Sequence, residues 1–144
     1  NKARERRLGE GEEKLLLNAC RASNNYYLKP LVIVAIETAM RRGELLQLER
    51  QHLNLNNRTA YLPMTKNGED RKVALTTTAI ATLKEMPVHI SGRVFPLSET
   101  ALRGLWRRAC ERAEIEDLRF HDLRHEATSR FFEKLEHCVA SPRT

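Results

Sequence analysis

The sequence changes character at Thr38-Ala39-Met40-Arg41-Arg42-Gly43-Glu44-Leu45, where a long apolar run stops on two arginines, a glycine and a glutamate. Every residue from 31 to 36 is apolar, and Pro30 before the run suits the first turn of a helix. The apolar character extends to Met40, which is long for a strand, so we predict a buried helix. The β-branched residues of the run leave a buried strand as the alternative.

The same stretch places Arg41 at the rim of the core. An arginine there is expected to have a partner, because burying an uncompensated charge costs several kcal/mol. Glu44 lies three residues on, one helical turn away if the chain stays helical past Gly43. An ion pair that only ends a core helix is one interpretation, and a functional arginine held by an acid is the other.

Composition and charge favour one domain with a polyanionic partner. The chain has 144 residues, with 25 Lys and Arg against 19 Asp and Glu and a net charge of +6. This balance favours nucleic acid, with acidic lipid as the competing partner. No stretch has the roughly 20 apolar residues of a membrane span, and residues 1–7 lack the apolar segment of a signal peptide. We therefore expect no membrane partner and a cytoplasmic, nucleoid-associated protein.

The hydrophobic patterns predict a mainly α-helical fold with a small antiparallel β-sheet, an α+β class. Helices are expected to begin near residues 12, 30, 45, 76, 98 and 121, and strands to cover residues 53–55, 59–62 and 72–75. Asn67-Gly68 is a strong hairpin signal, because a type I′ turn needs positive φ at both central positions. Lys66 is therefore expected beside a hairpin tip, where a solvated lysine is the ordinary interpretation.

The predicted helix from residue 98 is amphipathic. Ser98 suits its N-cap, and Trp106 lies on the apolar face, so we expect Trp106 in the core rather than as a stacking platform. The other faces carry Arg103, Arg107, Arg108 and Arg112. A solvated basic face is one interpretation of these arginines, and phosphate contact is the other.

The last informative stretch is Leu118-Arg119-Phe120-His121-Asp122-Leu123-Arg124-His125. If a helix begins near His121, then His121 and Arg124 share a face. The apolar positions on the buried side are Leu123, Ala127 and Phe131. His121 and His125 have the spacing of a zinc pair, but the glutamate of the zinc protease motif and a third ligand are missing, so we expect no metal site.

Three pieces together resemble the catalytic domain of the tyrosine recombinases, the phage integrase family. They are Ala-Met-Arg-Arg-Gly-Glu-Leu at 39–45, Thr-Lys-Asn-Gly at 65–68 and His-Asp-Leu-Arg-His at 121–125, in one order and with connections of plausible length. The resemblance implies an integrase-like catalytic domain over residues 10–134. We expect residues 1–9 to be the remnant of a linker and residues 135–144 to be a divergent tail.

The resemblance implies cleavage and rejoining of DNA strands through a 3′-phosphotyrosine, without a metal or nucleotide cofactor. Arg41 and Arg124 would hold the non-bridging phosphate oxygens, which suits the planar fork of a guanidinium group. Glu44 would orient the site. Lys66 would protonate the leaving 5′-oxygen, and His121 would bond the phosphate or help the proton of the nucleophile to leave.

Double-stranded DNA is the partner that the resemblance implies. Arg41 is preferred to Arg42 as the catalytic residue because it matches the arginine of the family and keeps the spacing to Glu44. Arg42, together with Arg107, Arg108 and Arg112, is expected to contact DNA. Active members work as tetramers on paired DNA, whereas we expect this chain alone to be a monomer.

The nucleophile of the family has no counterpart here. No tyrosine lies beyond Tyr61, and Tyr26, Tyr27 and Tyr61 do not match the position of the nucleophile. We therefore expect the chain to hold a phosphate but to lack the group that attacks it. Either the chain is cut short, or the gene is truncated or frameshifted, or another subunit supplies the tyrosine.

Three functions are compatible with these motifs. The first is the catalytic domain of a site-specific recombinase or integrase, inactive in recombination as given. The second is a non-enzymatic DNA-binding module derived from the same fold, which would protect a defined site without forming covalent adducts. The third is a fragment of a type IB topoisomerase, which shares the chemistry but lacks a target-site preference.

Overall fold

Six α-helices and a three-stranded antiparallel sheet share one hydrophobic core in the computed structural model, which describes residues 4–63 and 69–140, with side chains as far as residue 137. The mainly helical α+β prediction is confirmed. The helices are α1 (Glu12–Arg21), α2 (Leu28–Thr38), α3 (Arg42–Gln47), α4 (Thr77–Lys84), α5 (Glu99–Ala113) and α6 (Asp122–Ala140). The strands are β1 (Leu53–Asn54), β2 (Thr59–Leu62) and β3 (Arg71–Ala74). The Asn67-Gly68 turn and Lys66 lie outside the described residues.

The apolar run is a helix, α2, and it lies at the centre of the core. It packs against α1, α4 and α6, and side chains such as Leu31 and Val34 are fully buried. The helix ends two residues before Met40. The Thr38 hydroxyl donates to the Val34 carbonyl at 2.7 Å, and Ala39 adopts a left-handed φ of 59°, which costs a non-glycine residue roughly 1–2 kcal/mol. This reversal separates α2 from α3.

The sheet has the order β1-β2-β3, with Leu62 opposite Arg71 and Thr59 opposite Ala74. β3 begins at Arg71, one residue before the predicted start. Side chains alternate between the two faces of a strand, and Val73 is buried. Arg71 therefore lies on the face of β3 that is directed toward the core.

The predicted N-cap and core position in α5 are confirmed. Ser98 Oγ accepts the backbone N–H of Ala101 at 3.0 Å. Trp106 is buried, and its Nε1 donates to the carbonyl of Leu118 at 3.0 Å. Its ring packs edge-on against Phe120, with 5.3 Å between the ring centres. The indole thus joins α5 to the loop that leads into α6.

The Ser98→Ala variant is expected to lower the free energy of unfolding by about 1 kcal/mol, because the first turn of α5 loses the acceptor for one of its backbone N–H groups. Urea unfolding followed by circular dichroism measures this loss. Thr100→Ala is the matched control, since Thr100 is exposed in the same helical turn and is not the N-cap. Equal unfolding midpoints for the two variants would contradict the capping role.

One predicted core position in α6 is wrong. Leu123 and Ala127 are buried, but Phe131 is 58% exposed. Phe131 borders an apolar groove whose other walls include Thr38 of α2 and Val73 of β3. The helical spacing placed Phe131 on the correct face, but no element covers that face at this depth among the described residues.

Residues 4–8, part of the segment expected to be a linker, lie against α6. Arg4 and Arg7 form ion pairs with Asp122 and Glu126, at 2.8 and 3.1 Å. Leu8 packs against the core. The linker role of this segment stays a prediction. In the described ranges, no helix combines the length and apolar character needed to cross a membrane.

Candidate functional site

Three guanidinium groups and one carboxylate meet where the beginnings of α3, β3 and α6 come together. Arg41 precedes α3, Glu44 lies in its first turn, Arg71 opens β3, and Arg124 lies in the first turn of α6. The shortest contact joins Arg71 Nη2 to Glu44 Oε1 at 2.6 Å. The charges of Arg41, Arg71 and Glu44 all act on Arg124. We call these four residues the arginine cluster.

The Arg41 side chain is more exposed to solvent than we predicted for a residue at the rim of the core. Its backbone is extended, with φ −72° and ψ 154°. Glu44 accepts the backbone N–H of Arg41 at 2.8 Å, as an acid in the first turn of a helix commonly does. The predicted pairing of the two side chains is present but long, with Arg41 Nη1 at 3.7 Å from Glu44 Oε2. The Arg41 side chain therefore stays 52% exposed and accessible to an anion.

Arg124 is held by the left-handed turn that follows α2. Its Nε donates to the carbonyl of Ala39 at 2.9 Å, so the backbone orients the guanidinium plane. Burial lowers the pKa of Arg124, the positive charges of Arg41 and Arg71 lower this pKa further, and Glu44 opposes the shift. Burial and like charges both disfavour the charged guanidinium, so an anion bound among these groups would relieve the repulsion.

Sequence reasoning missed Arg71. The residue is 27 positions away from its partner Glu44, so no helical spacing connects them. Strand alternation was the available signal, because Arg71, Val73 and Leu75 share one parity and the two apolar residues are buried. An arginine in register with two core residues is expected to reach a partner beneath the sheet. Here that partner is the carboxylate that also caps α3.

The other two predicted catalytic residues are His121 and Lys66. His121 lies in the turn just before α6 with an exposed side chain. Its carbonyl accepts the backbone N–H of Arg124 at 3.0 Å, so the two residues are separated by one turn, as the His-x-x-Arg spacing predicts. Lys66 lies outside the described residues, in the connection between Leu62 and Arg71. Leu62 of β2 is paired with Arg71 of β3, which belongs to the arginine cluster.

Two of the candidate DNA contacts have partners within the protein. Arg42 approaches Glu99 at the start of α5, with 3.8 Å between Nε and Oε1. Arg112 Nη1 donates to the carbonyl of Ala19 at 2.7 Å, so part of its hydrogen bonding holds α1 against α5. The exposed arginines of α5 also include Arg103, Arg107 and Arg108. Arg42 therefore connects the arginine cluster to a helix with a basic surface.

The tyrosines of the described region have other partners. The Tyr61 hydroxyl donates to Asp70 Oδ2 at 2.7 Å, and this bond raises the pKa of Tyr61. Tyr26 donates to the carbonyl of Glu85 at 3.4 Å, and Tyr27 precedes α2. A tyrosine attacks more readily when its pKa is lowered, because more of it is then ionised. The pKa of Tyr61 is raised instead.

Known proteins similar to this chain are integrases and recombinases. A model of the phage integrase family matches residues 6–135. The shufflon-specific DNA recombinase of Escherichia coli is 47% identical over 130 residues, which are 90% of this chain and 34% of that protein. A putative integrase/recombinase of Haemophilus influenzae is 42% identical over 107 residues, 73% of this chain and 35% of that protein. The chain thus spans about a third of the length of these relatives.

Two solved structures share the architecture. The catalytic domain of bacteriophage HP1 integrase has a TM-score of 0.73 and 25% identity, over 91% of this chain and 74% of that chain. A lambda integrase dimer bound to a COC′ core site has a TM-score of 0.77 and 18% identity, over 97% of this chain and 44% of that chain. At this identity, the second likeness concerns the fold alone.

Proposed function

This chain belongs to the phage integrase family, and we propose that its arginine cluster holds a phosphodiester of double-stranded DNA within a site-specific tyrosine recombinase. The fold is that of an integrase catalytic domain. The observation that carries the proposal is the convergence of Arg41, Arg71 and Arg124 around one carboxylate, Glu44. A site with more fixed positive than negative charge favours a phosphate, whose oxygens accept charge-assisted hydrogen bonds.

In the proposed reaction, Arg41 and Arg124 contact the non-bridging oxygens of the phosphate that is cut. Attack on phosphorus increases the negative charge on these oxygens, and guanidinium groups already in place stabilise that charge without rearrangement. The bond from Arg124 to Ala39 supports such preorganisation. Lys66 would protonate the leaving 5′-oxygen and His121 would assist the phosphate or the nucleophile, roles that rest on the family motifs.

For this chain by itself, we propose phosphate binding without strand cleavage. No tyrosine follows Tyr61 in the sequence, and the raised pKa of Tyr61 disfavours its ionisation. The second candidate function is a DNA-binding module that does not cut. A footprint on a defined site without a protein–DNA adduct would support that module. Covalent adducts would support the recombinase chemistry.

The proposed DNA surface extends beyond the cluster. Arg42 and the exposed arginines of α5 would contact neighbouring phosphates, which set affinity and salt dependence but carry no sequence information. Arg112 would contribute less, since it already bonds the Ala19 carbonyl. The similarity to named recombinases favours recombination over topoisomerase chemistry.

The Arg41→Gln variant is expected to bind duplex DNA about fivefold to tenfold more weakly, because one charge-assisted contact with a phosphate is lost. The slope of log K against log salt should also fall by about 1. Fluorescence anisotropy of a labelled duplex, in a salt series from about 50 to 200 mM, measures both quantities.

Arg21→Gln is the matched control. It removes the same charge from an exposed arginine at the end of α1, which lines a hollow with Asn25, Tyr26 and Pro30 near the first turn of α2. The arginine cluster lies at the other end of α2, roughly 15 Å away at 1.5 Å per residue. Equal losses in the two variants would mean that only net charge matters, and the proposed site would be wrong.

A further inference from the structure

Residues 4–8 form a strap across one face of α6, in which arginines meet buried carboxylates. Arg4 donates to Asp122 through Nε and Nη2, with nitrogen–oxygen distances of 2.8, 3.1 and 3.0 Å. Asp122 is 3% exposed, and its Oδ2 also accepts the backbone N–H of Arg119 at 2.8 Å. A carboxylate bonded in this two-pronged way has a fixed orientation, and removing its partner would leave a buried charge unpaired.

The second contact of the strap lies one helical turn further along α6. Arg7 donates to Glu126 at 3.2 and 3.1 Å, and the backbone N–H of Leu8 donates to the same carboxylate at 2.9 Å. Glu126 is also 3% exposed. Arg130 Nε, from α6 itself, donates to Glu126 Oε2 at 2.6 Å. The strap therefore binds α6 at two successive turns.

Arg124 lies on the opposite face of α6. Asp122 and Glu126 share a face because they are four residues apart, whereas Arg124 is roughly 160–200° away from both around the helix, at about 100° per residue. On its own side, Arg124 Nε bonds the Ala39 carbonyl at 2.9 Å. The first turns of α6 are thus bonded to the strap on one face and to the turn after α2 on the opposite face.

We infer that Arg4 and Arg7 are positioning residues for Arg124. They do not touch the proposed phosphate position. Their bonds to Asp122 and Glu126 set the placement of the first turns of α6, and this placement determines whether Arg124 reaches the phosphate together with Arg41. Loss of the bonds from Arg4 or Arg7 to α6 would therefore change the position of Arg124. The binding readout of this inference rests on the proposed function.

The test uses a pair of substitutions that keeps the net charge constant. Arg4→Gln with Asp122→Asn removes the ion pair without leaving a buried charge, and we expect duplex binding to weaken at least about threefold. Arg6→Gln with Glu12→Gln is the control, because this pair joins the strap to α1 at 2.7 Å. The other bonds of Arg6 to neighbouring elements, to the carbonyls of Glu116 and Asp117 at 3.2 and 3.3 Å, are made to the loop before α6 and not to α6 itself. We expect that control to bind as tightly as the original chain.

The same two pairs are then combined with Arg124→Gln. If the strap acts through Arg124, the Arg4/Asp122 pair should cause no further loss in that background. An equal loss in both backgrounds, or an equal loss from the Arg6/Glu12 pair, would overturn the inference. If the Arg4/Asp122 pair does not fold, Arg4→Lys serves instead, because lysine keeps the charge but not the fork, and it should show a smaller loss that also vanishes with Arg124→Gln.

A second measurement does not depend on DNA. The Nε–H resonance of Arg124 in a nitrogen-15 NMR spectrum reports its bond to Ala39. We expect the Arg4/Asp122 pair to shift this resonance and the Arg6/Glu12 pair to leave it in place. An unmoved resonance in the Arg4/Asp122 variant would overturn the inference. If Arg124→Gln alone leaves duplex binding unchanged, the proposed function fails, and the NMR result still decides the role of the strap.

Discussion

Replacing Arg124 by glutamine is expected to weaken duplex binding about tenfold to thirtyfold, the largest loss for any single residue of the arginine cluster. Arg124 is more buried than Arg41, and its Nε is already bonded to Ala39. Within residues 4–63 and 69–137, its two terminal amino groups make no hydrogen bond, so both are available to a phosphate. A guanidinium that is fixed before binding loses little conformational entropy when the anion arrives.

Arg124→Lys separates charge from geometry. Lysine keeps the positive charge but has neither the planar fork nor a second donor placed to bond Ala39 at the same time. We expect this variant to recover less than half of the lost binding free energy, measured by anisotropy at low salt. Full recovery would mean that a point charge suffices at this position, and the bidentate role of Arg124 would be wrong.

The second large effect concerns stability and pH. Burial alone would raise the pKa of Glu126, but hydrogen bonds from Arg7, from the Leu8 backbone N–H and from Arg130 outweigh burial and lower this pKa from 4.5 to about 2. The difference of about 2.5 pH units corresponds to about 3 kcal/mol of folding free energy. That is a large share of the roughly 5–15 kcal/mol that stabilises a domain.

The sign of the pH dependence follows from the lowered pKa. Above the ordinary carboxyl pKa of 4.5, Glu126 is ionised in both the folded and the unfolded chain, and its full contribution to the folding free energy is present. As the pH falls toward about 2, the unfolded chain takes up the proton first, and the contribution is lost. Urea unfolding at about pH 7 and about pH 3 should therefore show a loss of stability in the acid range.

The Glu126→Gln variant should be about 3 kcal/mol less stable at neutral pH and should lose less stability on acidification than the original chain. Glu133→Gln is the matched control, since Glu133 also bonds Arg7 at 3.0 Å but its side chain is 59% exposed. Exposed ion pairs contribute little. If both variants behaved alike, burial of Glu126 would not be the source of its contribution.

Much of the fold was predictable because helices and turns depend on neighbours in the sequence. The apolar run of α2, the Ser98 cap and the buried Trp106 follow from spacing and side-chain chemistry that act within a few residues. The end of α2 was missed by two residues because Ala39 adopts a left-handed conformation that its side chain does not favour. The bond from Arg124, 85 positions away, to the Ala39 carbonyl stabilises that turn.

The exposure of Phe131 illustrates the limit of helical spacing. The pattern identifies the face on which a residue lies, but burial also requires another element at the same height along the helix. Leu123 and Ala127 have such neighbours, whereas Phe131 borders an open groove. Spacing alone contains no information about where the neighbouring elements end.

By itself, the sequence determined the fold class, the resemblance to tyrosine recombinases and the identity of Arg41 and Arg124 as candidate phosphate ligands. Only the tertiary structure decided which charges pair. Glu44 bonds Arg71 more closely than the nearby Arg41, and Arg4 reaches Asp122 across 118 positions. Local patterns determine which face of an element is buried. Ion pairs between elements depend on distances that exist only after those faces have packed together.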